Sequence, residues 1–191
     1  MDLKQFVEDV LEKLNSIERR LRKIALFLAP VVRHVRIAAP SWAKGGSAPG
    51  EGFVGIFPVL QFSPILKDEA HYSILVPFRM AAGSIIEVNV DWCYTGGNDA
   101  GTVCWKLEYK SIEAGEALVG GTTTIAATSP GGHTSGQMVR TVLLVGITGA
   151  VAHDVLGLRL FRESGDDTLA TDAEMIQLHL MFIMDKLGLP I

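Results

Sequence analysis

Residues 84–111 read SIIEVNVDWCYTGGNDAGTVCWKLEYKS, and this stretch decides the fold. Apolar and polar side chains alternate on both sides of a Gly/Asn/Asp turn, which is the period of a β-strand with one buried face. One face carries Ile86, Val88, Val90, Trp92, Val103, Trp105, Leu107 and Tyr109, and the other carries Glu87, Asn89, Asp91, Lys106, Glu108 and Lys110. The shortest reading is a hairpin with Cys93 opposite Cys104. That register sets Asp91 against Lys106, Glu87 against Lys110 and Trp92 against Trp105, and a one-residue slip would spoil both faces. It also makes the two cysteines neighbours, as two reduced thiols or as a cross-strand disulfide.

The same period continues outward. Strands are expected at 53–62, 71–78, 84–94, 102–111, 122–127, 137–145, 154–162 and 175–184, with a further one at 31–38. Turn signals separate them: Thr95-Gly96-Gly97-Asn98-Asp99, Ser129-Pro130-Gly131-Gly132 and Ser164-Gly165-Asp166-Asp167. Some eight strands with no intervening helix imply an antiparallel β-sandwich of jelly-roll type. The domain would occupy 53–191. Residues 30–52, rich in Pro, Gly, Ser and Ala, read as a linker or extended arm, with Trp42 anchoring it onto a neighbour.

Ahead of the β pattern the period changes. Leu3, Val7, Val10, Leu14, Ile17, Leu21, Ile24, Leu28 and Val31 follow one another in strict steps of four and three. A 3.5-residue repeat winds helices around each other. Val7, Leu14, Leu21 and Leu28 take heptad position a; Leu3, Val10, Ile17, Ile24 and Val31 take d. Leu at a with Ile at d disfavours two strands and favours three or four. The coil spans 1–29, capped by Asp2 and stopped by Pro30. Glu, Lys and Arg fill the outer positions, and Phe6 and Leu11 widen the stripe. Lys13 at g would face Glu18 at e of the next chain. The competing reading is an amphipathic helix lying on its own domain, which would follow a 3.6 period.

Composition sets bounds. The chain has 191 residues, a net charge of −4 and 48% hydrophobic residues, and its mean hydropathy is +0.30. An oligomer can bury such an excess between subunits. The negative balance speaks against nucleic acid as a partner. The longest apolar run, 24–32, is nine residues with a proline in it, and a spanning helix needs roughly 20. Acidic residues interrupt the first twenty, so no signal peptide is expected, and synthesis in the cytoplasm follows.

No chemistry-bearing constellation emerges. His34, His71, His133, His153 and His179 show no His-x-His, His-x3-His or His-Glu-x-x-His spacing, and Cys93 and Cys104 lack a second pair for zinc. No nucleophile elbow, phosphate loop or dinucleotide fingerprint occurs. Glu163, Asp166 and Asp167 offer carboxylates for calcium, but solvated turn residues are the plainer reading. No catalytic residue, metal or cofactor is assigned. The site residues are those of oligomerisation: Leu3, Val7, Val10, Leu14, Ile17, Leu21, Ile24 and Leu28.

Residues 91–96 with 99–110 (DWCYTG, then DAGTVCWKLEYK), and residues 153–162 (HDVLGLRLFR) with Asp167-Thr168-Leu169, resemble segments of tailed-bacteriophage virion proteins. The resemblance covers about residues 70–186. It implies a non-enzymatic trimeric β-sandwich on a phage particle: a head fibre, a decoration protein or part of the tail adsorption apparatus. Expected partners are two further copies of the chain, other virion proteins of capsid or tail, and, for an adsorption tip, a host-surface glycan. A cupin-like enzyme and a stalked trimeric signalling ligand are the weaker alternatives.

Overall fold

The computed structural model describes residues 2–28, 30–96, 101–129 and 131–185; the side chains of residues 3, 9 and 26–28 also lie outside the description. One helix, α1, runs Leu3–Leu28. The Lys4 amide donates to the Asp2 side chain and the Phe6 amide to the Asp2 carbonyl, so Asp2 caps the first turn. Eleven strands follow: β1 Val31–Ala38, β2 Ala43–Lys44, β3 Gly50–Val54, β4 Phe57–Phe62, β5 Glu69–Leu75, β6 Ile86–Cys93, β7 Cys104–Ile112, β8 Thr123–Thr128, β9 Val139–Ile147, β10 Val155–Arg162 and β11 Ala173–Met184.

The strands form two antiparallel sheets. One has the order β3-β4-β11-β6-β9, with β1 sharing an edge of β11 with β4; the other has the order β2-β5-β10-β7-β8. Strands β4 to β11 thus distribute as β4-β11-β6-β9 over β5-β10-β7-β8, the double Greek key of a jelly roll. The core lies between the sheets. Trp92 from the first and Trp105 from the second meet edge-on at 6.2 Å, and Phe62 closes on Trp105 at 5.1 Å. Every residue assigned to the inward face of 84–111 is buried.

The partner assigned to that face was wrong. β6 pairs with β11 and β9, whereas β7 pairs with β10 and β8. The two strands expected to form a hairpin belong to opposite sheets. Their apolar faces do meet, but across the sandwich rather than within one sheet. Asp91 consequently pairs with Arg140 and not Lys106. Cys93 and Cys104 are not cross-strand neighbours, and both are free, buried thiols.

The expected strand 53–62 is a hairpin. Gly55, at φ +61°, makes the turn between β3 and β4, a conformation that only glycine adopts without strain. The 30–52 arm is an arm only in part, because β1 is a full strand that pairs with β11 from Val31↔Met184 to Ala38↔Gln177. Trp42 does anchor the following segment, but onto its own sandwich: it is buried and packs on Tyr72 at 5.7 Å.

Candidate assembly surface and the outer faces of the sandwich

Every described side chain of α1 is exposed. Along the 4-3 repeat Val7, Val10, Leu14, Ile17, Leu21 and Ile24 are 38–59% exposed, and Phe6 and Leu11 beside them are equally open. The seam therefore does not lie on its own domain, as the 3.6-period reading required. Leu3 and Leu28 belong to the helix, but their side chains lie outside the described residues. On the polar side Arg22 donates to Glu18 one turn earlier, at 2.6 Å, a contact that supports the isolated helix by a few tenths of a kcal/mol, roughly. No described helix is long and apolar enough to cross a membrane.

The helix feeds directly into the sandwich, since only residues 29 and 30 separate Leu28 from Val31. β1 leaves that end along β11. The opposite end of the sandwich holds residues 94–96, 101–103, 131–138 and 163–172. Asn98 and Asp99, read as turn residues, lie outside the described residues. Here the carboxylates considered for calcium are matched by cations of the chain itself. Lys106 bridges Glu163 at 3.3 Å and Asp166 at 3.2 Å, and the Asp166 bond first, then Glu163, raises the lysine's pKa. Arg162 is fully buried and binds Asp167, whose side chain is 3% exposed, side-on through Nε at 2.5 Å and Nη2 at 3.0 Å. Its remaining N–H groups donate to the carbonyls of Phe62, Thr171 and Leu169. All five donors of the guanidinium are used. Among the described residues no group of three His, Cys, Asp or Glu side chains is placed to hold a metal.

The histidines, unconnected in sequence, are partly brought together. His34 on β1 and His179 on β11 lie ring against ring, with Nδ1 of the first 2.8 Å from Nε2 of the second. One nitrogen must donate and the other accept, so at most one ring is charged. Burial lowers the His179 pKa first, and His34 and Arg140 add to it. No sequence signal joins two residues 145 positions apart; only the β1–β11 pairing does. Beside them Asp91, fully buried, receives Arg140 at 2.6 and 2.9 Å and Gln177 at 2.7 Å. Burial alone would raise this carboxyl, but the bonds from Arg140 and Gln177 hold it below its ordinary value.

The outer face of the five-stranded sheet carries a different pattern. Arg159 on β10 lies between Glu69 on β5, at 3.0 Å, and Glu108 on β7. Burial would raise the Glu69 carboxyl; the Gly46 amide, His71 and Arg159 outweigh it and keep it low. Next to this ladder Gly157 leaves the sheet surface open between Ser73 and Lys110. The result is an open groove of 480 Å³, lined by His71, Ser73, Glu108, Lys110, Thr122 and Arg159 among others. Ala43, Tyr72, Tyr109, Leu118 and Leu158 complete the lining, so the groove combines charged side chains with an apolar wall.

No family model matches the chain, and no curated protein matches it. Among solved structures it is similar to the CBM36-1 domain of a multidomain xylanase from the hindgut metagenome of Trinervitermes trinervoides, with 17% identity over 78% of this chain and 96% of that one, at a TM-score of 0.47. It is similar to the isomalto-dextranase of Arthrobacter globiformis T6 complexed with panose, with 18% identity over 77% of this chain but only 23% of that one, at a TM-score of 0.45. A third likeness is to dimeric latent PorU from Porphyromonas gingivalis, with 8% identity over 83% of this chain and 13% of that one, at a TM-score of 0.38. These likenesses are coarse, and what those proteins bind does not pass to this chain through them. The chain's own strand order makes it a mainly β, antiparallel jelly-roll sandwich preceded by one N-terminal helix.

Proposed function

We propose that this protein is a non-enzymatic structural module that assembles as a parallel homotrimer through α1 and displays three jelly rolls on a bacteriophage particle. The observation that carries the proposal is the exposed aliphatic seam of a 26-residue helix whose described side chains are all open to solvent. Burying one half-exposed aliphatic side chain is worth about 1 kcal/mol, and six such side chains per chain supply the driving force for a coil. Placement on a phage particle, as head fibre, decoration protein or tail component, rests on the sequence resemblance. The direct test is sedimentation velocity of the full chain beside an Ile17→Asp/Leu21→Asp variant. The expected result is a trimer for the first and a monomer for the second. An oligomer unchanged by two carboxylates in its seam would sink the coil as the assembly device.

One observation favours a second reading, in which the displayed sandwich holds a host-surface glycan. The groove around Gly157 offers alternating donors and acceptors in Ser73, Lys110, Glu108, Thr122 and Arg159, the side-chain types that bond sugar hydroxyls. A glycan array with a hit that free sugar competes away, and that Arg159→Ala abolishes, would support it. An array with no such hit would reject it.

A further inference from the structure

Charge is distributed along this chain in three blocks. Residues 1–18 hold Lys4 and Lys13 against Asp2, Glu8, Asp9, Glu12 and Glu18, a net of −3. Residues 19–36 hold Arg19, Arg20, Arg22, Lys23, Arg33 and Arg36 and no acidic residue, a net of +6. Residues 37–191 hold 9 cations and 16 carboxylates, a net of −7. The positive block is the last part of α1 together with most of β1, so it forms a collar where the helix enters the sandwich. All six cations are exposed. Beyond the collar the chain answers its cations itself. Lys44, Lys106, Arg140, Arg159 and Arg162 each lie against a carboxylate. In the collar only Arg22 does, through Glu18 one turn earlier, and Arg19 donates to the Asn15 carbonyl at 3.4 Å. Arg20, Lys23, Arg33 and Arg36 form no ion pair among the described residues. Coil assembly does not neutralise them. In the heptad frame Arg19, Arg22 and Lys23 take the outward positions f, b and c, and Arg20 at g faces Ala25 at e of the next chain. Parallel copies bring their collars to one level, where like charges repel.

We infer that this collar is a docking surface for a carboxylate-lined band on another protein. The inference rests on the structural-module reading above and names the chemistry of the surface on which the helix end docks. Five of the six cations are arginines, whose planar fork grips a carboxylate through two parallel bonds. The order of signs, negative then positive then negative, confines the partner's acidic groups to a narrow band, and complementary charge then fixes the axial position of the rod. The acidic blocks on either side argue against two other polyanions. A nucleic acid duplex lying along the molecule carries its phosphates past the collar and into both acidic blocks. A membrane surrounds the collar only if residues 3–18, roughly 24 Å of acidic helix at 1.5 Å per residue, pass into it. A protein band meets the collar alone. Docking at this end leaves the loops at the opposite end of the sandwich facing away from the partner.

The test measures binding of the full chain to labelled poly-glutamate, to a DNA duplex of about 30 base pairs, roughly 100 Å long, and to vesicles of phosphatidylcholine and phosphatidylserine in equal parts. The variant is Arg20→Gln/Lys23→Gln/Arg33→Gln/Arg36→Gln. Gln keeps helix propensity and every site is exposed, so circular dichroism and sedimentation should match the parent. The parent should bind poly-glutamate in about 50 mM salt and release it in about 300 mM. The variant should bind it at least about tenfold more weakly. Duplex and vesicles should bind less tightly than poly-glutamate. A parent that ignores poly-glutamate, or a variant that binds it as tightly as the parent, would overturn the inference. Tighter binding of duplex or vesicles would overturn the assignment to a protein's carboxylates. A full chain that sediments as a monomer yet binds poly-glutamate through these four cations would sink the coil and leave the docking surface standing.

Discussion

Arg162 is the residue whose loss the sandwich should feel most. Arg162→Met keeps the volume and removes five donors at once. It leaves Asp167, 3% exposed, as a buried carboxylate without a counter-charge, and it strips donors from the carbonyls of Phe62, Leu169 and Thr171. Removing one partner of a buried ion pair costs about 3–5 kcal/mol, because the remaining charge stays desolvated. At about 2–4 °C per kcal/mol for a chain of this size, Tm should fall by about 6–20 °C. The measurement is thermal unfolding by circular dichroism at one fixed protein concentration, since oligomerisation makes Tm concentration-dependent. The double variant Arg162→Met/Asp167→Leu should recover much of the loss, because the orphaned charge is gone. Sedimentation should be unaffected in either variant, as the pair lies at the end of the sandwich away from α1. A drop of about 1 kcal/mol or less in the single variant, or a double variant as unstable as the sum of the two single ones, would refute the reasoning.

Gly101→Ala should destabilise by about 1–3 kcal/mol, seen as a lower Tm. Its Cβ would sit 2.5 Å from the Leu169 Cα, a backbone atom that cannot swing aside, and an unchanged Tm would show that the loop yields. Titration with a thiol reagent at pH 8 should find almost no reactive cysteine in the native protein and two after denaturation. Burial, reinforced by Glu174, pushes the Cys93 thiol up to about 12, and burial raises Cys104 too; rapid native reaction would contradict this. Stability should decline as pH falls from 7 to 5. The unfolded His179 imidazole takes up a proton near its ordinary 6.5, whereas burial and His34 keep the folded one neutral to lower pH. The contribution is complete above pH 6.5 and is lost below it, and a His179→Gln variant should flatten the slope in that window. Asp91, held low by Arg140 and Gln177, adds a second loss only as pH drops below its ordinary 3.8 and through its depressed folded value.

The exposed aliphatic stripe of α1 was legible because a 4-3 repeat is a local signal. Val7 through Ile24 announce their common stripe through spacing alone, and α1, Leu3–Leu28, begins and ends within two residues of the expected bounds. The common face of the exposed aliphatic residues on the outside of the six-stranded sheet was not legible. Val32, Val142, Leu144 and Ile183 come from three strands, and in sequence each is merely one more aliphatic residue in an aliphatic strand. The His34–His179 pair and the Arg159–Glu69–Glu108 ladder were hidden for the same reason, since their members lie on different strands. The acidic turn 163–167 shows the reverse case. Its residues were visible, but their partners, Lys106 and the buried Arg162, had to be brought by folding.

By itself the sequence determined which residues of 84–111 face inward, roughly where most of the strands lie, and that a helix with a heptad seam precedes them. Ile86, Val88, Val90 and Trp92 are buried as the period of two demands, because side-chain direction is a property of the strand's own backbone. What only the tertiary structure decided is which strand lies beside which. The residues 84–111 look like a hairpin because opposite charges fall into register across the turn. The chain instead crosses from one sheet to the other there, and Asp91 finds Arg140 while Glu108 finds Arg159. Pairing is a contest among all strands for two edges each, and burial of Trp92 against Trp105 favours stacking the sheets over joining the neighbours. Local alternation fixes a face; only the whole core fixes a partner.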